Sequence, residues 1–294
     1  HAQYRLDQGL RDVSKAHPFI TIWDDHEFAN NVYKAGAQNH QPDQEGDFEL
    51  RKAAAKQAYY EWLPIRESEK LYRSFSYGSL AQLIMLDERI EGREEPPASQ
   101  DSTKVERTML GAEQLAWFEK QLGTSVTWKV IGNQVIFSDI LQGDVFPKSP
   151  RNLDSWDGYQ AEKKKIKEHI LKNKINDVVF ITGDTHASWA IEVATDISAK
   201  YNPFAVEFGT TSISSANDDE YHSKDTVIMM ENAMLKANPH IKFINDREHG
   251  YLILTLYPNK AKAEWFYVET LREPNSRERL GKKIEVAKGS YKLK

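Results

Sequence analysis

Asp177-Val178-Val179-Phe180-Ile181-Thr182-Gly183-Asp184-Thr185-His186 is the stretch on which the reading of the fold turns. Its apolar run is β-branched and aromatic and lacks polar alternation, the pattern of a strand buried on both faces. The run ends at Gly183, which lets the backbone turn tightly, and a cluster of reactive side chains follows. Two further runs have the same form. Trp128-Lys129-Val130-Ile131 passes into Gly132-Asn133-Gln134, and Pro18-Phe19-Ile20-Thr21-Ile22-Trp23 passes into Asp24-Asp25-His26-Glu27. Each predicts a buried strand with a polar cluster at its carboxyl end. In α/β folds ligands gather beyond that end of the sheet, so three clusters are expected along one edge.

Helical patterns alternate with these runs, which completes the α/β reading. Residues 50–62, rich in alanine and stopped by Pro64, predict a helix. So do residues 111–122, 160–174 and 227–237. Residues 72–86, broken at Tyr77-Gly78, read as a hairpin. Residues 252–257 and 263–268 form a second hairpin across Pro258-Asn259-Lys260, and residues 38–47 and 94–103 read as loops. The Lys163-Lys164-Lys165 run is expected to be a solvated helix face. No repeat or low-complexity segment interrupts the chain.

Composition narrows the function classes. The 294 residues are 40% hydrophobic and 28% charged, which suits a globular protein with a sizeable core. A net charge of -5 gives no global attraction to nucleic acid or to an anionic membrane. Without cysteine there is no disulfide and no thiolate metal site, and the redox compartment is left open. No apolar run reaches the length of a membrane-spanning helix. The first residues lack both a start methionine and an apolar leader. They read as part of an amphipathic helix (Tyr4, Leu6, Leu10, Val13), so the chain is expected to begin inside a domain. One domain is expected over residues 1–270, with a C-terminal extension over 271–294.

Two clusters can do chemistry. The adjacent carboxylates of Asp24 and Asp25, beside His26, repel one another unless a metal cation or an Arg or Lys is close. The alternative is a loop of caps and salt bridges. Asp184 and His186, two apart in an extended turn, point the same way and can reach one site. The alternative there is a hydrogen-bonded core pair. Two such clusters at one sheet edge favour a metal site.

A resemblance makes this specific. Trp23 through Asn31 spell Trp-Asp-Asp-His-Glu-Phe-Ala-Asn-Asn. Gly183-Asp184-Thr185-His186 is followed by Trp189, and Glu207-Phe208 precedes Thr211-Ser212-Ile213-Ser214-Ser215. Thr108-Met109-Leu110-Gly111 comes with Gln114 and Trp117. In this order and over most of the chain, these motifs resemble the PhoD-like phosphatases, within the wider metallophosphoesterases. The resemblance implies a β-sandwich flanked by helices (αββα) with its N-terminal portion missing.

It also implies site roles. Asp25, Asn133 and Asp184 would hold one cation, and His186 would serve a second, an Fe(III). An all-oxygen donor set suits a hard cation, Ca²⁺ or else Mg²⁺ or Mn²⁺, over Zn²⁺. His26 would contact the phosphoryl oxygen and the leaving group, with Glu27 orienting it. Arg89 would bind phosphate or pair with acidic neighbours. Asn30 and Asn31 would reach the metal site or end a helix.

The implied reaction is hydrolysis of phosphate mono- or diesters at a dinuclear centre by a metal-activated hydroxide. The family's GD-x-x-Tyr block, which bridges the metals, should lie upstream of His1. The chain alone is therefore expected to be almost inactive unless an N-terminal segment of the same protein completes it. Export to the periplasm, cell surface or medium follows family habit. Two rivals stand beside this reading. One is a metal-binding or interaction fragment without catalysis. The other is an esterase using Ser212 or Ser214, disfavoured by the absence of a Gly-x-Ser-x-Gly elbow.

Overall fold

Parallel strands β2 (Ala81–Met85), β3 (Trp128–Asn133), β4 (Val178–Thr182) and β6 (Pro203–Gly209) form the middle of a seven-stranded sheet. The computed structural model describes residues 1–100, 106–194, 197 and 200–294. The sheet order is β1-β2-β3-β4-β6-β5-β7, with β1 (Arg73–Tyr77) paired antiparallel to β2. β5 (Ser188–Ala194) runs antiparallel to both β6 and β7 (Ile241–Asn245). Every residue of β3, β5 and β6 is buried, the charged Lys129, Glu192 and Glu207 included.

A second sheet, ordered β10-β9-β8, packs on one face of the first. In β9 (Lys260–Val268) burial alternates strictly, so Ala261, Ala263, Trp265 and Tyr267 meet Val130, Val179, Val206 and Phe208 between the sheets. β8 (Gly250–Leu256) supplies the other half of the expected hairpin. The stretch set apart as an extension contains β10 (Glu278–Ala287), which pairs with β9 and buries Ile284 and Val286 in the same layer. It is part of the sandwich.

Helices cover the other face of the large sheet. α4 (Gly111–Leu122) and α5 (Gln160–Lys172) bury Phe118, Leu122, Ile166 and Ile170 against Ile84, Ile131 and Phe180. α6 (Lys224–Ala237), capped by Ser223, packs Met234 near Trp189 and Ile241. On the outer face of the small sheet Tyr251 and Ile253 are exposed.

Three expectations change. Lys163 is fully buried, not solvated, because Asp139 and Asp157 each accept from its ammonium at 2.8 Å. The amphipathic N-terminal segment does form α1 (Gln8–Ala16), yet none of its residues is buried. Residues 18–23 join no ladder among the described residues. Of these residues only Trp23 is buried, in a satellite core where Trp23, Phe28 and Val32 pack against Phe48 and Tyr59 of α3 (Phe48–Trp62). α3 starts at Phe48 because Asp47 caps it, accepting from Glu49 N at 2.7 Å. Part of the loop read over residues 94–103 lies outside the described residues.

Candidate metal centre

The satellite core carries the Asp24–Asn31 loop to the carboxyl edge of the large sheet. Trp23 is tied down by side chains rather than by a ladder. Its carbonyl accepts from Gln134 Nε2 (2.7 Å) and its indole N–H donates to Asp87 Oδ2 (3.0 Å). The loop then turns on itself, with Phe28 N and Ala29 N both donating to Asp25 O at 2.8 Å. Glu27 closes the turn by accepting from Asp24 N at 2.6 Å. Asn31 adopts a positive φ of 51°, uncommon for a residue with a side chain, and its backbone N–H donates to Asp25 Oδ2 (2.8 Å).

Arg89, just past β2, is the hub. Its guanidinium is fully buried and spends its donors on carboxylates: Asp24 Oδ1 at 2.5 Å, Asp154 Oδ2 at 2.6 Å and Asp184 Oδ1 at 2.6 Å. Asp25 Oδ1 lies 3.9 Å from it. Arg93 holds the other oxygen of Asp154. Asp24, Asp25 and Asp184 each bring one oxygen within 4.8 Å of the others, the geometry of a cation site.

The charge balance follows from this crowding. Burial pushes the Asp184 pKa up to about 7, with Asp24, Asp154 and Asp25 adding to the rise against the pull of Arg89. Burial raises Asp24 as well, again against Arg89 and with Asp25 adding. For Asp154 burial also acts upward, but Arg93 and Arg89 outweigh it and hold the carboxyl below its usual value. One guanidinium therefore does not fully neutralise the carboxylates gathered around it. The loop carrying Asp184 and His186 places both residues at positive φ, 67° and 56°.

The sequence-derived residues divide cleanly. Asp25 and Asp184 meet in the cluster. His186 stands exposed beside it and outside the three-carboxylate group. His186 Nδ1 lies 2.7 Å from Ala216 O, a carbonyl that can only accept, so Nδ1 is the donor and Nε2 is the nitrogen that a neutral ring would offer to a ligand. His26 is largely exposed, its Nε2 4.0 Å from Asp25 Oδ2. Glu27 is occupied with Asp24 N rather than with His26. Asn133, at the end of β3, engages its side-chain amide within the sheet edge. Its Nδ2 donates to Val135 O and its Oδ1 accepts from Trp156 Nε1 at 3.3 Å. Arg89 pairs with acidic neighbours, one of the two roles expected of it.

Sequence reasoning missed Asp154 and two buried glutamates that hold the edge. Glu88 accepts from Gln134 N (2.8 Å), Val135 N (3.0 Å) and Trp156 Nε1 (2.8 Å). Glu207, on β6, accepts from Phe137 N, Ser138 N, Ser138 Oγ and Thr182 Oγ1. Together they satisfy the backbone N–H groups of the irregular segment after β3, which no ladder reaches. The one available signal was Glu207 inside an otherwise apolar strand. Ser212 Oγ lies 3.1 Å from His249 Nδ1, but it also meets Ser215 O at 2.6 Å and Asn217 Oδ1 at 3.0 Å. With acceptors this close, its hydroxyl proton is directed away from the histidine. The serine belongs to a turn.

Residues 1–265 match the family model for PhoD-like phosphatase. The chain is 37% identical over 292 residues to alkaline phosphatase D of Bacillus subtilis (strain 168), covering 94% of this chain and 48% of that protein. A solved structure described as the structure of PhoD superposes with a TM-score of 0.85 at 33% identity, covering 100% of this chain and 57% of that one. The chain thus spans about half the length of the relatives it matches. With a family model over most of its length and a close structural match over all of it, the chain belongs to the PhoD-like phosphatase family.

Proposed function

We propose that this chain supplies the cation-binding part of a phosphoesterase site that hydrolyses phosphate mono- or diesters. The observation that carries the reading is the convergence of Asp24, Asp25 and Asp184 on one buried guanidinium. The donor set fits a hard divalent cation. It consists of carboxylate oxygens, three of them gathered around the single guanidinium of Arg89. Calcium, magnesium and manganese suit it better than zinc. The Fe(III) position implied by family resemblance has one described donor, His186 Nε2, which is too few for a site, and no step is assigned to it.

A divalent cation held by Asp24, Asp25 and Asp184 would polarise the phosphoryl oxygens and neutralise charge that builds up during transfer. The chain's own residues do the rest. Arg89, locked by three carboxylates, fixes the spacing between the β2 and β4 exits and limits repulsion before substrate arrives. His26, exposed with Nε2 4.0 Å from Asp25 Oδ2, would hold a proton for the departing alkoxide. His186, with Nδ1–H fixed on Ala216 O, directs its Nε2 lone pair outward for a second ligand.

The test is hydrolysis of p-nitrophenyl phosphate by the purified protein after exhaustive EDTA treatment, followed by addition of single metals. Expected is loss of turnover with EDTA, recovery with a hard cation, and no recovery in Asp25→Asn or Asp184→Asn. Turnover that survives EDTA, or recovery with zinc alone, would overturn the reading.

A further inference from the structure

Beside the carboxylate cluster opens a cleft of about 910 Å³. Two of its walls are one hydrogen bond from the site. Asn31 lines it and donates its backbone N–H to Asp25 Oδ2, and Asp154 lines it and accepts from Arg89. The remaining wall comes from the segment holding Pro96, Pro97 and Ala98 and from the loop holding Lys148 and Asn152. Pockets of roughly 300–1,000 Å³ take whole small molecules, so the space far exceeds what a phosphoryl group needs. It has room for the other half of an ester.

The chemistry of the lining says which kind. Among the described residues, Lys148 is the one cation on the lining, and Glu95 contributes a carboxylate of opposite sign. Asp154 is already paired with Arg89 and Arg93. The described lining therefore offers no surplus positive charge to a second phosphate. What it offers is flat apolar surface and amide or hydroxyl groups. The Tyr33 ring rests against Gly36, where a Cβ would meet its hydroxyl at 2.6 Å, and Pro96 and Pro97 stand on the same lining. Asn152 and Ser149 supply hydrogen-bonding groups. Flat faces with polar groups around them suit a neutral ring that carries hydroxyls.

We infer that this cleft is the leaving-group subsite and that it takes a glycosyl-type alcohol, a neutral polyhydroxylated ring. The inference rests on the phosphoesterase reading above and deepens it by naming the substrate's alcohol. Tyr33 and Pro96 receive the ring, while Asn152 and Lys148 meet its hydroxyls. Ala98 is exposed on the rim and leaves the entrance wide.

Glucose 6-phosphate and methyl phosphate share the same reacting group, a phosphate monoester of a primary alcohol, and differ only in what the cleft would hold. The experiment measures kcat/KM for both with the purified, metal-loaded protein and with the variants Tyr33→Leu and Ala98→Trp. Wild type is expected to prefer the sugar ester. In each variant the ratio of the two kcat/KM values should fall by about tenfold, the scale of one lost pocket contact. The change should lie mainly in KM for the sugar ester. Circular dichroism and Tm establish that both variants fold, and Ala98→Trp adds bulk at an exposed position, so at least one is informative. A ratio that does not move in a folded variant overturns the subsite while leaving the phosphoesterase reading intact. Failure of wild type to hydrolyse either ester removes that reading, and the subsite with it.

Discussion

Arg89 Nη2 donates to Asp184 Oδ1 across 2.6 Å, and through that bond the exit of β2 is fastened to the exit of β4. The same guanidinium reaches Asp24 and Asp154, so one fully buried cation organises acidic residues from three separate parts of the chain. Desolvation alone would drive Arg89 toward neutrality. The surrounding carboxylates more than reverse that and hold its pKa well above the ordinary value.

Arg89→Met removes the charge and keeps much of the volume, leaving the carboxylates facing one another. Breaking a buried ion pair from one side costs about 3–5 kcal/mol. The variant is expected to lose roughly that much stability in EDTA, read by urea unfolding. Millimolar Ca²⁺ or Mn²⁺ should restore more stability to it than to wild type, because the cation then supplies the missing charge. Equal metal stabilisation of the two proteins would contradict the charge-balance account.

Gln134 fastens the Asp24–Asn31 loop to the sheet. Its Oε1 accepts from Glu88 N and its Nε2 donates to Trp23 O, both within the buried edge. Gln134→Leu leaves two buried backbone groups without partners, at about 1–3 kcal/mol each. Since Trp23 immediately precedes the cluster, kcat should fall while KM for a small ester changes little. Gln134→Glu, which keeps an acceptor for Glu88 N but loses the donor to Trp23 O, should lie between. If both variants match wild type in kcat, the tether does not position the site.

These two residues mark how far the sequence could be read. Asp25, Asp184 and His186 were visible because each follows an apolar run, and a buried strand that ends in polar residues must end at a sheet edge. Asp154 was not, since it sits in the loop before Trp156 with no strand to announce it. Asn133 was read from its strand-end position, where its amide bonds Val135 O and the Trp156 indole. Residues 18–23 were misread for a related reason. Apolar character reports burial, and the Trp23, Phe28 and Tyr59 cluster provides burial without a ladder.

Glu88 gives a pH dependence. Burial pushes its pKa up to about 8, against the N–H groups of Val135, Trp156 and Gln134 that favour the carboxylate. A folded-state value above the unfolded one means the native protein keeps a proton that the unfolded chain releases. Glu88's contribution is thus fully present below about pH 4.5, the ordinary value of a glutamate, and is lost as pH rises through about 8. Glu88→Gln mimics the protonated form, and the Trp156 indole retains Asn133 Oδ1 as an acceptor. Unfolding free energies measured between pH 5 and pH 9 should therefore decline less in Glu88→Gln than in wild type. Parallel pH profiles would place the proton elsewhere.

The last prediction concerns the C-terminal strand. Gly281 lies at the register shift in β10, and a Cβ added there would meet the Tyr267 ring at 2.1 Å. That ring has nowhere to go, for Tyr267 is fully buried between the sheets and its hydroxyl bonds Ser188 Oγ at 3.0 Å. Gly281→Ala must therefore shift the β10 backbone or break the link to β5, at about 1–3 kcal/mol for overpacking. Gly132→Ala is the matching control, since its Cβ would meet the end of the Met85 side chain, which can swing aside. Thermal unfolding should show a larger drop in Tm for Gly281→Ala than for Gly132→Ala. Ser188 opens β5 two residues after His186, so the same variant should also weaken cation binding in a calorimetric titration. A loss of Tm with unchanged cation affinity would mean that the small sheet stabilises the fold without supporting the site.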